Sequence, residues 1–274
     1  MPVVLRCTVR SCGEALRPDA LRWACSRNHS FDQHRWGFLN LLQPQDRRSK
    51  RPGDSREAAQ ARRRLAGLGH ADAVFGAFRQ AIGSRARRDP AALLDVGCGE
   101  GAFLRSIPAA SGFERHGVDL SAPSIELAAR TAPDVFFIVA NADRLLPYAD
   151  ASLDFVTSID ARVNAAEFER VLKPAGLILV AVPAPDDLVE LRARIHGGAL
   201  AKSRAPRIEE ELGKSFTLID RTTIRDRRDF EPEALRDLLT ATYRGFRQSE
   251  RAAAESLGPM NVTLSHEVLA FEPR

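Results

Sequence analysis

The sequence predicts an α/β protein, a Rossmann-like and mostly parallel sheet with a small metal-held module ahead of it. Three observations carry that prediction. Leu93-Leu94-Asp95-Val96 runs apolar into Gly97-Cys98-Gly99-Glu100-Gly101, a buried strand that breaks into a tight turn and a helix and leaves backbone N–H groups facing a ligand. About one helix later, Gly117-Val118-Asp119-Leu120-Ser121 reads as a second strand ending in an acid, and the apolar run 135–140 as a third, closing on Asn141-Ala142-Asp143. Near the start, Cys7, Cys12, Cys25 and His29 form two closely spaced pairs.

Each glycine of the loop has a use. Gly97 and Gly99 allow the turn and the close approach of a ligand, where a Cβ would collide or strain the backbone. Gly101 lets the following helix pack close to its strand. Cys98, inside the loop, reads as a small side chain filling the turn; the alternative, a nucleophile, has no base beside it.

The N-terminal pattern is C-x4-C, a loop of twelve residues, then C-x3-H. Two ligand pairs on two short turns suit a closed tetrahedral zinc site. So short a segment buries too little core to fold unaided, so the metal would supply the folding energy. Free buried thiols are the alternative. His34 lies on the apolar-aromatic stretch 31–42, where packing explains it.

Bulk properties bound the rest. A chain of 274 residues holds one full α/β domain and a small appendage. With 44% hydrophobic and 28% charged residues the composition is that of a globular protein, and no apolar run approaches the roughly 20 residues of a membrane span. Arg6, Cys7 and Arg10 interrupt any signal-peptide core, so the expected location is the cytoplasm. The net charge of +4 is uneven: Arg47, Arg48, Lys50, Arg51, Arg56, Arg62, Arg63 and Arg64 face only Asp46, Asp54 and Glu57 between positions 46 and 64. Such a stretch suits a phosphate-bearing polyanion; a solvated arginine-rich surface is the alternative.

The expected organisation is a zinc-binding domain over 1–42, a basic linker and helix over 43–70, and a larger domain over 71–274. Ser55 is placed to cap a helix running from 56 to about 68, with Glu57 in its first turn. A second helix, 71–86, leads into the glycine-loop strand. A fourth strand follows at 153–159, then a helix at 165–172 and a turn at Lys173-Pro174-Ala175-Gly176. The fifth strand is 177–182, followed by a loop over 183–187 and a helix at about 188–196. A strand from 216 through 224, a helix at 232–243 and a last strand at 262–271 complete seven strands, the last inserted antiparallel.

The succession of strand-end acids resembles the class I S-adenosylmethionine-dependent methyltransferases. The resemblance implies that the glycine loop holds the methionine end of the cofactor, Asp119 the ribose and Asp143 the adenine amino group. A nicotinamide enzyme would favour G-x-G-x-x-G; a ligand-free turn is the remaining alternative. Cys7/Cys12/Cys25/His29, Phe31-Asp32, Gly37-Phe38-Leu39-Asn40-Leu41-Leu42, Pro52-Gly53-Asp54-Ser55, Gln60-Ala61-Arg62-Arg63 and Gly69-His70 together resemble one family within that class. It is the zinc-finger 23S rRNA guanine-N1 methyltransferases, some of which confer resistance to macrolides such as tylosin.

That likeness implies S-adenosylmethionine contacts at His70, Asp95, Gly97, Gly99, Glu100, Gly101, Asp119, Leu120 and Asp143. It implies a 23S rRNA hairpin gripped by the finger and by Arg47, Arg48, Lys50, Arg51, Arg62, Arg63 and Arg64, and it allows a homodimer.

The cleft departs from the family. Where relatives carry an aromatic and then Ala-Pro-Cys, this chain has Asp160-Ala161-Arg162-Val163. Ala71 stands for an expected aromatic, Asp187 for an expected histidine, and Ala241-Thr242-Tyr243 for Met-Thr-Pro. The expected reading is an altered acceptor pocket in which Asp160 takes a proton and Arg162 holds a phosphate or carbonyl; alternatively the two pair with each other. The function expected is methyl transfer to a guanine N1. A small-molecule acceptor, or a non-catalytic RNA-binding factor, is the alternative.

Overall fold

In a computed structural model that describes residues 3–46, 52–86, 90–197, 201–242 and 255–274, the chain opens with an antiparallel meander. Its strands are β1 (Leu5–Arg6), β2 (Ala15–Asp19), β3 (Arg22–Ala24) and β4 (Ser30–Asp32). Arg47, Arg48, Lys50, Arg51 and Tyr243 lie outside the described residues.

The meander does not stand apart. β5 (Leu39–Asn40) pairs in parallel with β8 (Phe136–Val139) at the edge of the large sheet, and Leu41 N–H donates to the Val139 carbonyl at 2.9 Å. On the other flank, Arg6 N–H donates to the Pro147 carbonyl at 3.1 Å and Ala149 N–H to the Val4 carbonyl at 2.9 Å. Leu5, Cys7, Leu16 and Cys25 share one buried cluster with Leu94, Val96 and Ile138. The module and the sheet therefore have a common core.

Two helices follow, α1 (Arg56–Gly67) and α2 (Asp72–Arg85). Ser55 caps α1 as its sequence predicts, accepting from Ala58 N–H at 3.2 Å. β6 (Ala91–Val96) is buried at every position, as a strand covered on both faces requires. The sheet continues through α3 (Ala102–Ser106), β7 (Phe113–Asp119), α4 (Ala122–Thr131), β8 and β9 (Leu153–Ile159). Then come α5 (Ala165–Val171), β10 (Leu172–Pro183), α6 (Val189–His196), α7 (Ala205–Leu212), β11 (Phe216–Phe230), α8 (Pro232–Thr242) and β12 (Met260–Pro273).

The strand order is β11-β12-β10-β9-β6-β7-β8-β5. β12 lies antiparallel between β10 and β11, the inserted last strand that was expected. Among the described residues the sheet has eight strands rather than seven, because two residues after the meander, within the stretch expected for the zinc domain, add β5 to its open edge. The residues 173–176 are not a free turn: β10 spans them, and a register shift between Leu172 and Leu177 absorbs the irregularity. α7 had no sequence expectation. The long edge strand β11 is exposed along most of its length and carries Arg221, Arg225, Asp226, Arg227 and Arg228, charges that discourage edge-to-edge pairing.

Phe137, 1% exposed, explains two glycines at once. A Cβ on Gly101 would come within 3.0 Å of its ring and one on Gly117 within 2.7 Å. Phe137→Ala should therefore cost about 3–5 kcal/mol in chemical denaturation; a loss below about 1 kcal/mol would contradict this packing.

Candidate active site and metal centre

Cys7, Cys12, Cys25 and His29 bring their donor atoms within 4.8 Å of one another. Cys7 and Cys12 flank the turn between β1 and β2; Cys25 and His29 flank the turn between β3 and β4. The Cys12 and Cys25 sulfurs are 3.8 Å apart, and His29 Nδ1 lies 3.5, 3.3 and 3.4 Å from the sulfurs of Cys7, Cys12 and Cys25. A tetrahedral zinc with bonds of about 2.3 Å to sulfur and about 2.0–2.1 Å to nitrogen gives edges of about 3.8 and 3.5 Å. The donor set fits the metal. Burial pushes the Cys7 thiol up to about 12, so its conversion to a thiolate needs the metal's charge.

The glycine loop sits at the carboxyl end of β6. Gly97, Gly99 and Gly101 all have positive φ, at 75°, 55° and 77°. A Cβ on Gly97 would meet Ala161 Cβ at 2.2 Å, whereas one on Gly99 would meet nothing within 4 Å. The loop is therefore closed at Gly97 towards the residues after β9 and open at Gly99, a cradle with room for a ligand beside its backbone. Gly97 and Cys98 donate to the Val118 carbonyl at 2.8 and 3.1 Å.

Asp119 ties the loop to the second strand. Its carboxylate accepts from Gly99 N–H at 2.9 Å and from Ser121 N–H at 2.7 Å. Burial raises its pKa against the lowering effect of those two donors. Gly53, at φ 81°, places the lead-in to α1 directly on Ser121, since a Cβ there would lie 2.6 Å from the Ser121 backbone. Ser121 Oγ donates to the Asp54 carbonyl at 2.8 Å.

The other expected cofactor residues fall in distinct places. Asp95 is 2% exposed and accepts from Thr157 Oγ1 at 2.8 Å; burial pushes its carboxyl up to about 7. Glu100 is buried, with Arg105 at 3.1 Å and Arg63 at 3.7 Å. Burial raises its pKa, opposed by those arginines. Leu120 packs half-buried against the core. Asp143 is exposed at the end of β8 and pairs with Arg162 at 3.2 Å. His70, in the turn between α1 and α2, has an Nδ1 that is buried without a hydrogen-bond partner, and burial lowers its pKa. Cys98 is buried, and its thiol is raised well above the ordinary range by that burial, as a turn-filling side chain should be.

At the acceptor end the alternative of a pair between Asp160 and Arg162 does not form. Arg162 pairs with Asp143 and not with Asp160. Asp160 follows β9 with φ 56°, an uncommon backbone for a residue with a side chain and one that recurs at functional sites. Its Oδ2 lies 3.2 Å from His266 Nε2. His266 stands on β12 opposite Pro183 and Ile224. Asp187, where the resemblance leads one to expect a histidine, accepts from Ser265 N–H at 2.9 Å, and burial pushes its carboxyl up to about 6. A histidine thus reaches this corner from another strand. Sequence reasoning missed His266, although the polar run Ser265-His266-Glu267 inside an otherwise apolar strand was a signal.

The arginines of α1 also have internal partners. Arg62 pairs with Asp54 and donates to the Ala241 carbonyl, Arg63 faces Glu100, and Arg64 takes Asp237 through two bonds at 2.7 and 2.6 Å.

The sheet order, the open glycine cradle and the strand-end acid define a class I methyltransferase built onto a zinc module. Residues 94–180 match the family described as "Methyltransferase domain", and residues 6–50 that described as "RlmA, N-terminal". A Micromonospora griseorubida protein provisionally named a 23S rRNA (guanine-N(1)-)-methyltransferase is 33% identical over 246 residues, covering 81% of this chain and 80% of its own length. The Streptomyces fradiae 23S rRNA (guanine(748)-N(1))-methyltransferase is 29% identical over 270 residues, covering 95% and 94%. A chain from the complex of the Haloferax volcanii Trm112 methyltransferase activator with its methyltransferase superposes with a TM-score of 0.52 at 19% identity, covering 81% of this chain and 99% of that one. This chain belongs to the 23S rRNA guanine-N1-methyltransferase family. It is a methyltransferase that uses S-adenosylmethionine and carries zinc. No helix among the described residues is long and apolar enough to cross a membrane.

Two substitutions test the two centres. Cys25→Ser should abolish stoichiometric zinc and unravel the meander, as read by metal analysis and circular dichroism; full zinc content would contradict the site. Asp119→Ala should weaken cofactor binding by 10-fold or more on the order of one lost charge-assisted contact; wild-type affinity by calorimetry would remove Asp119 from the cofactor site.

Proposed function

We propose that the protein transfers a methyl group from S-adenosylmethionine to N1 of a guanine in a 23S rRNA hairpin loop. The observation that carries this reading is the zinc module's shared core and strand pairing with the sheet, in a family of which similar members are named for guanine-N1 methylation of 23S rRNA. An rRNA acceptor implies action in the cytoplasm. On this reading 1–42 serve zinc and RNA, 43–70 link, and 71–274 hold the cofactor and the reacting base.

The cofactor, when bound, supplies an already activated methyl group on a sulfonium. The chain's own residues then have three tasks: to orient donor and base, to exclude water, and to remove the N1 proton. The cradle at Gly97–Gly101 and Asp119 serve the first, with Asp143 at the adenine end; Asp160 marks where the proton leaves. A hairpin base reaches this depth when it is extruded from its stack.

A surface for the RNA lies where the module meets α4. Trp36, 39% exposed, has the guanidinium groups of Arg35 and Arg130 over its ring at 5.1 and 5.4 Å. Next to Arg35 a groove of about 650 Å³ runs between Asp32, His34, Phe38, Asn40, Arg56 and Glu126, with Arg56 paired to Glu126 at 3.0 Å. An aromatic flanked by arginines suits a stacked base and its phosphates. The groove adjoins the 47–51 segment in sequence and takes up the role expected of Arg62, Arg63 and Arg64, whose internal partners hold them to the protein.

Labelled methyl transfer to unmodified 23S rRNA tests the reading. Label confined to one guanine, with a reverse-transcription stop there, is expected. No label from protein that binds cofactor would overturn it and move the acceptor to a small molecule. Trp36→Ala should weaken hairpin binding by about 10-fold, the lower range of one lost stacking contact, and leave cofactor affinity unchanged; undiminished binding would place the RNA elsewhere.

A further inference from the structure

We infer that His266 is the proton acceptor of the reaction, positioned by Asp160, and that the pair removes the guanine N1 proton. The inference rests on the rRNA reading above and names the group that acts within it.

Asp160 is fixed from three sides. Its N–H donates to the Ala181 carbonyl at 3.0 Å. The next residue, Ala161, seats its methyl against Gly97 of the cofactor cradle, and the Ala161 carbonyl accepts from Arg204 Nη2 at 3.0 Å. The carboxylate therefore stands beside the methyl donor's loop, and the imidazole stands beside the carboxylate. The bond at 3.2 Å uses His266 Nε2, and no described residue hydrogen-bonds Nδ1. A carboxylate that takes the Nε2 proton fixes the tautomer and leaves the Nδ1 lone pair as the base. The His266 side chain is 16% exposed and that of Asp160 50% exposed, so the carboxylate reaches solvent and the imidazole lies just beneath it.

The surroundings set the basicity. Asp160 and Asp187 face His266 from the end of β9 and the loop after β10; His70 faces the pair from the α1–α2 turn. Arg204 acts on Asp160, Arg192 on Asp187, and Arg228 of β11 on His70. Arg225 of β11 is taken up by Asp186, and Glu267, next on β12, by Ser203 and Arg221. Burial lowers the imidazole's pKa, but the two carboxylates outweigh it and hold His266 up at about 8. A base of that strength is matched to a weakly acidic ring N–H. Asp160 is a poorer base: burial raises its pKa, yet His266, His70 and Arg204 bring it below the ordinary carboxyl range.

In the step, the N1–CH3 bond forms as the CH3–S bond breaks and its electron pair returns to sulfur. The N1–H electron pair stays on the ring, and the proton passes to His266 Nδ1. The resulting imidazolium is paired with Asp160 and later loses its proton to water.

Methyl transfer to 23S rRNA at saturating cofactor, measured from pH 6 to 9, tests this on wild type, His266→Gln and Asp160→Asn, with cofactor affinity measured on each. His266 must be neutral to accept, so the wild-type rate should rise with pH and level off above about pH 8. His266→Gln should lose on the order of 10²-fold or more and the rise itself, with cofactor affinity unchanged. Asp160→Asn should shift the rise to lower pH, a change that a merely structural role would not produce. Variants within about threefold of wild type, an unmoved rise in Asp160→Asn, or parallel loss of cofactor binding in His266→Gln would overturn the inference while leaving the rRNA reading intact. A wild type that methylates no rRNA at any pH would overturn both.

Discussion

The pairing of Leu39–Asn40 with the edge of β8 is the constraint on which the rest depends. The third strand of a class I methyltransferase ends where the adenine of the cofactor is expected, and it is also an open sheet edge, with unpaired backbone groups that need a partner. Here the zinc module supplies that partner. Beyond the strand, Arg144 reaches the Thr8 carbonyl at 2.6 Å and Asp46 at 2.8 Å, and Asn141 Nδ2 donates to the Asp46 carbonyl at 3.1 Å. Thr8 follows Cys7 directly, so one covalent step separates a metal ligand from the loop that carries Asp143.

This arrangement explains how a small module with little core of its own can hold a precise surface. The metal fixes two turns, and the buried side chains of the same turns join the core of the sheet. Trp23 packs on Phe136 of β8 at 5.6 Å between ring centroids, and Leu5 bridges to Tyr148. The module is thereby held to the sheet edge by both metal and core.

The acceptor end shows a different logic. Where the resemblance leads one to expect an aromatic and a histidine, this chain carries Asp160 and Asp187, which share one corner at the ends of β9 and β10. Two carboxylates in one cleft repel unless a cation sits between them, and His266 on β12 is that cation when protonated. Asp160 and Asp187 thus meet His266 from two loops, and the strand beside them carries the countercharge.

Much of this was legible in the sequence. The glycine run, the strand-end acid at Asp119 and the spacing of Cys7, Cys12, Cys25 and His29 are local patterns, and Ser55 announces its helix by a cap within three residues. What escaped depends on long-range contact. His266 meets Asp160 only because β12 is inserted antiparallel across more than a hundred residues of sequence. Arg62, Arg63 and Arg64 read as a phosphate-binding run, and their pairing with Asp54, Glu100 and Asp237 is invisible in that run, two of those acids lying far along the chain. β5 is too short to carry a periodicity, and its apolar neighbours belong visually to the finger.

Amide hydrogen exchange before and after zinc chelation tests most directly whether module and sheet form one body. Chelation should deprotect not only the meander but also the amides of β8 and the loop at 140–144. Loss of protection confined to residues 5–32, with β8 and that loop unchanged, would contradict it.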